Sequence, residues 1–209
     1  MQKKDIIFPL IIGELTALFG IVILQNVGSN INTLLGKFSL PLSLVYIVLV
    51  ILLPIGALLG TVVAYYLGKK IMIFWQAAKF VLVGILNTFV DLGVLNILIL
   101  ITQISAGSFY SVFKGISFAI AVINSYFWNK FWTFKKKTAT ANPQKEFIQF
   151  VVVSLVGFGI NVGVASFIVN VAGSQLGIES KVLANLGAVT ATMAAMIWNF
   201  VGYKFIVFK

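Results

Sequence analysis

Apolar residues in this chain come in long, nearly unbroken runs separated by short polar breaks. The pattern lacks the period of two of a half-buried strand and the one-sided stripe of a soluble amphipathic helix. Six runs stand out in a window of about 19 residues: Ile6–Val27, Leu40–Leu67, Phe80–Ile101, Phe113–Trp132, Phe147–Ala172 and Val182–Tyr203. A helix rises about 1.5 Å per residue, so about 20 residues cross the hydrocarbon core of a bilayer. Each run meets that length, which predicts an all-α integral membrane protein with about six transmembrane helices. Pro9 falls in the first turn of its helix, where a missing N–H is tolerated, whereas Pro54 lies inside the second and predicts a kink. The first run is longer than the core of a signal peptide and has no small-x-small site after it, so it reads as a retained span. Loops are short, and the longest, Lys135–Lys145, carries a linker-like stretch at Thr138–Pro143.

Composition agrees and removes much chemistry. Hydrophobic residues make up 60% of the 209 and charged residues 10%, against about 25% charge in soluble chains. There is no His and no Cys, so the common zinc, thiolate and Ser-His sites have no raw material. The acids are Asp5, Glu14, Asp91, Glu146 and Glu179, with no two close in sequence. A sequence-local carboxylate pair for a metal or for acid–base work is therefore missing. No enzyme, metal or cofactor is expected. A net charge of +10 suggests nucleic acid only if the lysines form one face; here they follow the ends of the spans, so no nucleic-acid partner is expected.

Lysine placement predicts orientation. With the N-terminus inside, twelve lysines (Lys3, Lys4, Lys69, Lys70, Lys79, Lys130, Lys135, Lys136, Lys137, Lys145, Lys204 and Lys209) fall on the cytoplasmic side. Only three, Lys37, Lys114 and Lys181, fall outside. Both termini are expected in the cytoplasm, and the helices form three in-out-in hairpins.

The hairpins repeat. Tyr126-Phe127-Trp128-Asn129-Lys130-Phe131-Trp132-Thr133-Phe134 and Phe200-Val201-Gly202-Tyr203-Lys204-Phe205-Ile206-Val207-Phe208 share an aromatic, three residues, lysine, two apolar residues, a β-branched residue and Phe. Tyr66 to Phe74 follows the same spacing around Lys70. The openers also align: Phe80-Val81-Leu82-Val83-Gly84 with Phe150-Val151-Val152-Val153-Ser154, which sets Asp91 opposite Asn161 and Gly93 opposite Gly163. Each copy starts and ends on the same side, so the repeats are parallel, unlike the inverted repeats of many carriers. The expected organisation is a two-helix extension over residues 1–75, a possible divergent copy, and a four-helix domain over 76–209 with repeats at about 76–137 and 145–209.

Phe80-Val81-Leu82-Val83-Gly84-Ile85-Leu86-Asn87-Thr88 resembles the opening helix of the GtrA-like membrane proteins. The segment Ser125–Lys135 is similar to their second-helix ending, and Gly202–Lys209 to their C-terminal ending. The resemblance covers about residues 76–209 and leaves the first hairpin as an addition. It implies a multi-pass protein of the cell membrane that translocates a polyprenyl-phosphate-linked monosaccharide, undecaprenyl phosphate being one such carrier. The sugar would serve cell-surface polysaccharide, teichoic acid or glycolipid assembly. Implied partners are the lipid-linked sugar, membrane lipids and a glycosyltransferase that uses the sugar outside. The alternative is a non-transporting accessory subunit that anchors such a glycosyltransferase. Four to six short helices enclose little volume, which makes a homo-oligomer a further expectation.

Candidate residues follow from depth and polarity. Asp91 falls near the middle of the third span with Asn87 one turn earlier. A carboxyl group at that depth costs several kcal/mol unless paired, hydrated or protonated. Two readings stay open: a headgroup-contacting or titrating acid in a polar cavity, or a protonated acid gluing helices together. Asn161 matches it in the second copy. Lys114, with Ser117, Asn124 and Ser125 deeper along its helix, is either a phosphate contact or a snorkelling side chain. Asn185, Thr192 and Asn199 recur every seven residues as a polar stripe. The headgroup groove is thus assigned to Asn87, Asp91, Lys114, Asn124, Asn161 and Asn199, and the lipid-phosphate interface to Asn129, Lys130 and Lys204. Lys70 and Lys135–Lys137 join the interface as point-charge phosphate binders or as simple topology markers. The rings of Tyr126, Trp128, Trp132, Phe134, Tyr203 and Phe208 read as an anchoring belt, and Glu14 as structural.

Overall fold

The structure is a computed structural model that describes residues 1–26, 36, 41–69, 71–135, 142–172 and 180–209. Among these, every regular element is helical: α1 Lys4–Asn26, α2 Leu42–Gly68, α3 Met72–Thr102, α4 Gly107–Trp128, α5 Pro143–Phe167 and α6 Ser180–Gly202. Five of them, α1 to α5, are long and apolar enough to cross a membrane. Short π-helical turns extend α4 (Asn129–Thr133), α5 (Ile168–Ala172) and α6 (Tyr203–Val207). Lys37, Lys70, Lys136, Lys137 and residues 138–141 of the linker lie outside the described residues, as do the side chains of Lys181 and Asn185.

The chain forms two compact units, Met1–Lys135 and Lys136–Lys209. In the first, α1 packs against α2 and α3, and α3 against α4. Its core is Ile12, Val83, Leu86, Val90, Ala121 and Trp132, with Phe8, Leu15, Phe19 and Trp128 around it. Close approach depends on glycine: a Cβ on Gly13 would lie 2.4 Å from Pro54 Cα, and one on Gly93 would lie 2.2 Å from the Phe19 ring. The outer face of α2 touches no other helix among the described residues. Ile47, Leu52, Leu59, Val63 and Leu67 are all more than half exposed, as lipid-facing side chains must be.

In the second unit α5 and α6 form a hairpin. Phe150 stacks on Tyr203 at 4.3 Å, Ser154 Oγ and Tyr203 OH lie 2.6 Å apart, and Trp198 Nε1 donates to Val153 O at 3.1 Å.

Three boundaries differ from the hydropathy reading. α3 begins at Met72, not near Phe80, because Trp75 and Lys79 are buried and the lysine charge has a partner. α4 begins at Gly107, not Phe113, after a tight turn in which Gln103 (φ 58°) caps α3 and Gly107 takes φ 76°. That second value favours a residue without Cβ. The lysine motif at 66–74 does not close α2: the helix ends at Gly68, and Met72–Phe74 already belong to α3. Gly68 permits the sharp turn, since a Cβ there would meet Trp75 N at 3.0 Å. In the other two copies the motif keeps its place. Both switch to a π-helical turn at the same offset, and Phe134 N and Phe208 N each donate to the carbonyl five residues back, at 2.9 and 2.8 Å.

Candidate functional site

The polar residues of α3 and α4 meet in the first unit. Asp91 and Asn87 project one turn apart from α3; Lys114, Ser117, Asn124 and Trp128 share one face of α4 at helical spacing. Lys114 Nζ lies 2.5 Å from Asp91 Oδ2, and Ser117 Oγ donates to Asp91 Oδ1 at 2.6 Å. A turn further along, Asn124 Nδ2 is 3.4 Å from Asn87 Oδ1, and Trp128 Nε1 donates to Asn124 Oδ1 at 3.1 Å. Asp91 is therefore paired with an ammonium and accepts from a hydroxyl. The pair is not sealed: the Lys114 and Asp91 side chains are 42% and 23% exposed, so another polar group can reach them.

A second polar cluster sits at the lysine-rich end of the same unit, where the starts of α1 and α3 meet the ends of α2 and α4. Asp5, in the first turn of α1, accepts from Lys79 Nζ at 2.5 Å, Trp132 Nε1 at 3.1 Å and Gln2 N at 3.0 Å. Lys135 Nζ lies 3.7 Å from its other oxygen, and Lys79 Nζ stands 4.2 Å over the Trp75 ring. The Asp5–Lys79 pair is closed to solvent, at 2% and 1% exposure. Beside it lies a cavity of about 370 Å³ bounded by Tyr65, Lys69, Trp75, Gln76, Thr133 and Lys135. From Lys79 to Asp91, roughly 18 Å along α3 at 1.5 Å per residue, polar side chains are thus met at Lys79, Asn87, Thr88 and Asp91.

The sequence reading counted Asp5 among unassigned acids and Lys79 among topology lysines, and missed this cluster. One signal was present. The positive-inside tendency explains Lys3 and Lys4, but not an acid placed next to them in an apolar helix.

The remaining candidates fall as follows. Asn161 Nδ2 approaches Thr192 Oγ1 at 3.4 Å in the second unit. Asn199 packs on Gly157, where a Cβ would meet its Oδ1 at 2.2 Å, and that oxygen has no hydrogen-bond partner. Asn129 is enclosed at 1% exposure and donates back to Ser125 O at 2.9 Å. Lys130 Nζ donates to Tyr126 OH at 3.0 Å, and Lys204 lies 5.5 Å from the Phe205 ring centroid. The expected aromatic belt requires correction. Trp132, Tyr126, Tyr203 and Phe208 are buried, because Trp132 is held by Asp5 and packs edge-on to Phe8 at 6.1 Å, while Tyr203 stacks inside its hairpin. Exposed rings near the same helix ends include Tyr66, Phe74, Phe127, Phe131 and Phe205. Glu14 is half-buried on α1. Among the described residues no group of three or more acidic side chains gathers to hold a metal ion.

Long apolar helices, lipid-facing side chains and polar groups confined between helices define a multi-pass membrane protein. Residues 79–208 match the GtrA/DPMS transmembrane domain, and the chain belongs to that family, which is tied to glycosylation through lipid-linked sugars. It is 28% identical over 130 residues to the uncharacterized membrane protein YngA of Bacillus subtilis (strain 168), covering 62% of this chain and 77% of that protein. No solved structure matches the chain. The family match leaves α1, α2 and the first turns of α3 outside it.

Proposed function

We propose that the protein is a non-enzymatic carrier of the cytoplasmic membrane, which moves a polyprenyl-phosphate-linked monosaccharide between leaflets for a partner glycosyltransferase building surface polysaccharide, teichoic acid or glycolipid. The observation that carries this reading is the half-open Asp91–Lys114–Ser117 site, continued by Asn87, Asn124 and Trp128, between helices otherwise apolar. Sugar hydroxyls and a phosphate charge cannot enter hydrocarbon without losing their hydrogen bonds to water. A carboxylate, an ammonium, a hydroxyl and two amides at that depth replace those bonds, while the prenyl tail stays in lipid. Asn161 and Asn199 supply polar groups within the second unit, and Lys130 and Lys204 would attract lipid phosphate at the ends of their own helices.

Purified protein in liposomes, given labelled polyprenyl-phosphate sugar, should expose the headgroup to the opposite leaflet well above the rate of empty vesicles. Asp91→Asn and Lys114→Gln should each slow this at least ten-fold. Wild-type protein no faster than empty vesicles would end the carrier reading and leave an accessory subunit in its place.

A further inference from the structure

The cavity at the lysine-rich end of the first unit has a charge imbalance and unused polar atoms. Lys69, Lys79 and Lys135 face it against the single acid Asp5, which leaves two positive charges in excess (three minus one). Asp5 is engaged with Lys79, Lys135 donates to Gln2 Oε1 at 3.1 Å and lies 3.7 Å from Asp5, and Lys69 is exposed at the rim with its ammonium 4.6 Å from the Tyr66 ring centroid. Thr133, only 2% exposed, has a hydroxyl without a hydrogen-bond partner, and so has Gln76 Oε1; both residues line the cavity. Buried polar atoms in a folded protein are nearly always satisfied, so these two mark a place where a polar ligand belongs. A hydroxyl can donate to a phosphate oxygen, and an amide oxygen can accept from a sugar hydroxyl.

The cavity does not stand alone. Trp75 and Lys79 also wall a second cavity of about 290 Å³ between α2 and α3, bordered by Gly56, Ala57, Gly60 and Thr61. Ala78 and Val81 border both this cavity and a third, of about 530 Å³, beside Ala64, Leu67 and Phe74. Small side chains make these hollows: a Cβ on Gly56 or Gly60 would meet nothing within 4 Å. A cationic chamber at the helix ends thus lies beside apolar hollows between α2 and α3, with Trp75 and Lys79 bordering both. Volumes of this size suit small-molecule sites, which are mostly apolar with a few convergent polar groups.

We infer that the α2–α3 cleft is a docking site for a lipid phosphate with one isoprenoid chain, its phosphate held by Lys69, Lys135 and Thr133 and its tail in the Gly56–Gly60 groove. The shape and charge argue for this occupant: an anionic end and one narrow hydrocarbon tail match a chamber with excess positive charge set beside apolar hollows between the same two helices. The inference rests on the carrier reading and deepens it. It assigns a role to the first hairpin, since Gly56, Gly60, Tyr65 and Lys69 precede the family match.

The test is equilibrium binding to the purified full-length protein in detergent, with labelled undecaprenyl phosphate as probe. Competitors are undecaprenol, inorganic phosphate and phosphatidylglycerol. The expected result is saturable binding that none of the three displaces at equal concentration. Lys69→Gln/Lys135→Gln and Gly60→Leu should each weaken binding at least ten-fold, and Gly60→Leu should keep or raise the wild-type thermal midpoint because its side chain enters empty space. Thr133→Val should weaken binding in the same direction. Equal displacement by phosphatidylglycerol, or wild-type affinity in both the lysine and Gly60 variants, overturns the inference. The two readings fail separately. Lipid transfer in liposomes with unaltered binding in the variants ends this site and keeps the carrier; cleft-dependent binding without transfer keeps this site and ends the carrier.

Discussion

Two ion pairs in the first unit have the same chemistry and different surroundings, and the difference separates their roles. Asp5–Lys79 is closed, at 2% and 1% exposure, and its carboxylate takes three donors. Removing one partner of a closed pair strands the other charge, at a cost of about 3–5 kcal/mol. Lys79→Gln should therefore lower unfolding stability in detergent by about that much. Asp5→Asn combined with Lys79→Gln should cost less than the two single changes summed, because partners in contact are not additive. Asp91–Lys114 is half-open, and a freed Lys114 can extend its stem toward the headgroups. Asp91→Asn should cost below about 1 kcal/mol while still impairing transport. Equal losses of stability in Lys79→Gln and Asp91→Asn would refute this division. Asp91 was legible in the sequence because an acid inside an apolar run must be paired, hydrated or protonated, whether it serves a headgroup or holds helices together. Its link to Lys114 was not, since residues 23 positions apart meet only through the crossing of α3 and α4. Lys79 was hidden by its company: at a helix start among other lysines, it looked like one more topology signal.

At the scale of elements, glycine decides where helices touch and where they leave room. Gly13 lies against the backbone of Leu53 and Pro54, so Gly13→Ala must push α1 and α2 apart, with an overpacking cost of about 1–3 kcal/mol. Gly56 has nothing within 4 Å, so Gly56→Ala should be neutral or gain roughly 0.5–1 kcal/mol from helix propensity. Thermal unfolding of the two variants in one detergent checks the contrast, and a smaller loss at Gly13 than at Gly56 would contradict the packing described. Hydropathy located all six helices, because apolar run length carries that information without tertiary context. The early start of α3 escaped it, since Trp75 and Lys79 belong to the interior only once α1 and α4 surround them. The π-helical turns left a trace that periodicity does not read: the shared spacing from aromatic to lysine to Phe at 126–134 and 200–208, with the switch at matching positions. The same spacing at 66–74 had no such outcome, because Gly68 ends α2 before the motif is complete.

At the scale of the whole molecule, the remaining question is direction in the membrane. In the first unit the start of α1, the end of α2, the start of α3 and the end of α4 lie together, as Asp5, Lys79, Trp132 and the shared cavity show. Lysines gather at that end, while Lys114 marks the other side of the same helices. Cytoplasmic loops and ends hold back lysine during insertion, so the lysine-rich chamber should face the cytoplasm. The chain has no cysteine, so single substitutions report accessibility without background. Gln2→Cys and Lys209→Cys should react with a membrane-impermeant maleimide only after the cells are permeabilised. Ser108→Cys, exposed in the first turn of α4, should react in intact cells. The reverse pattern would place the lysine-rich chamber outside, against the charge bias. Labelling of one position from both sides would mean that the chain inserts in two orientations. The expected pattern would give all three hairpins the same orientation, so alternating exposure could not come from exchange of inverted halves. Any movement of a headgroup must then rest on rearrangement between hairpins or between copies of the chain, which makes the half-open Asp91–Lys114 pair the place where the two exposures should differ.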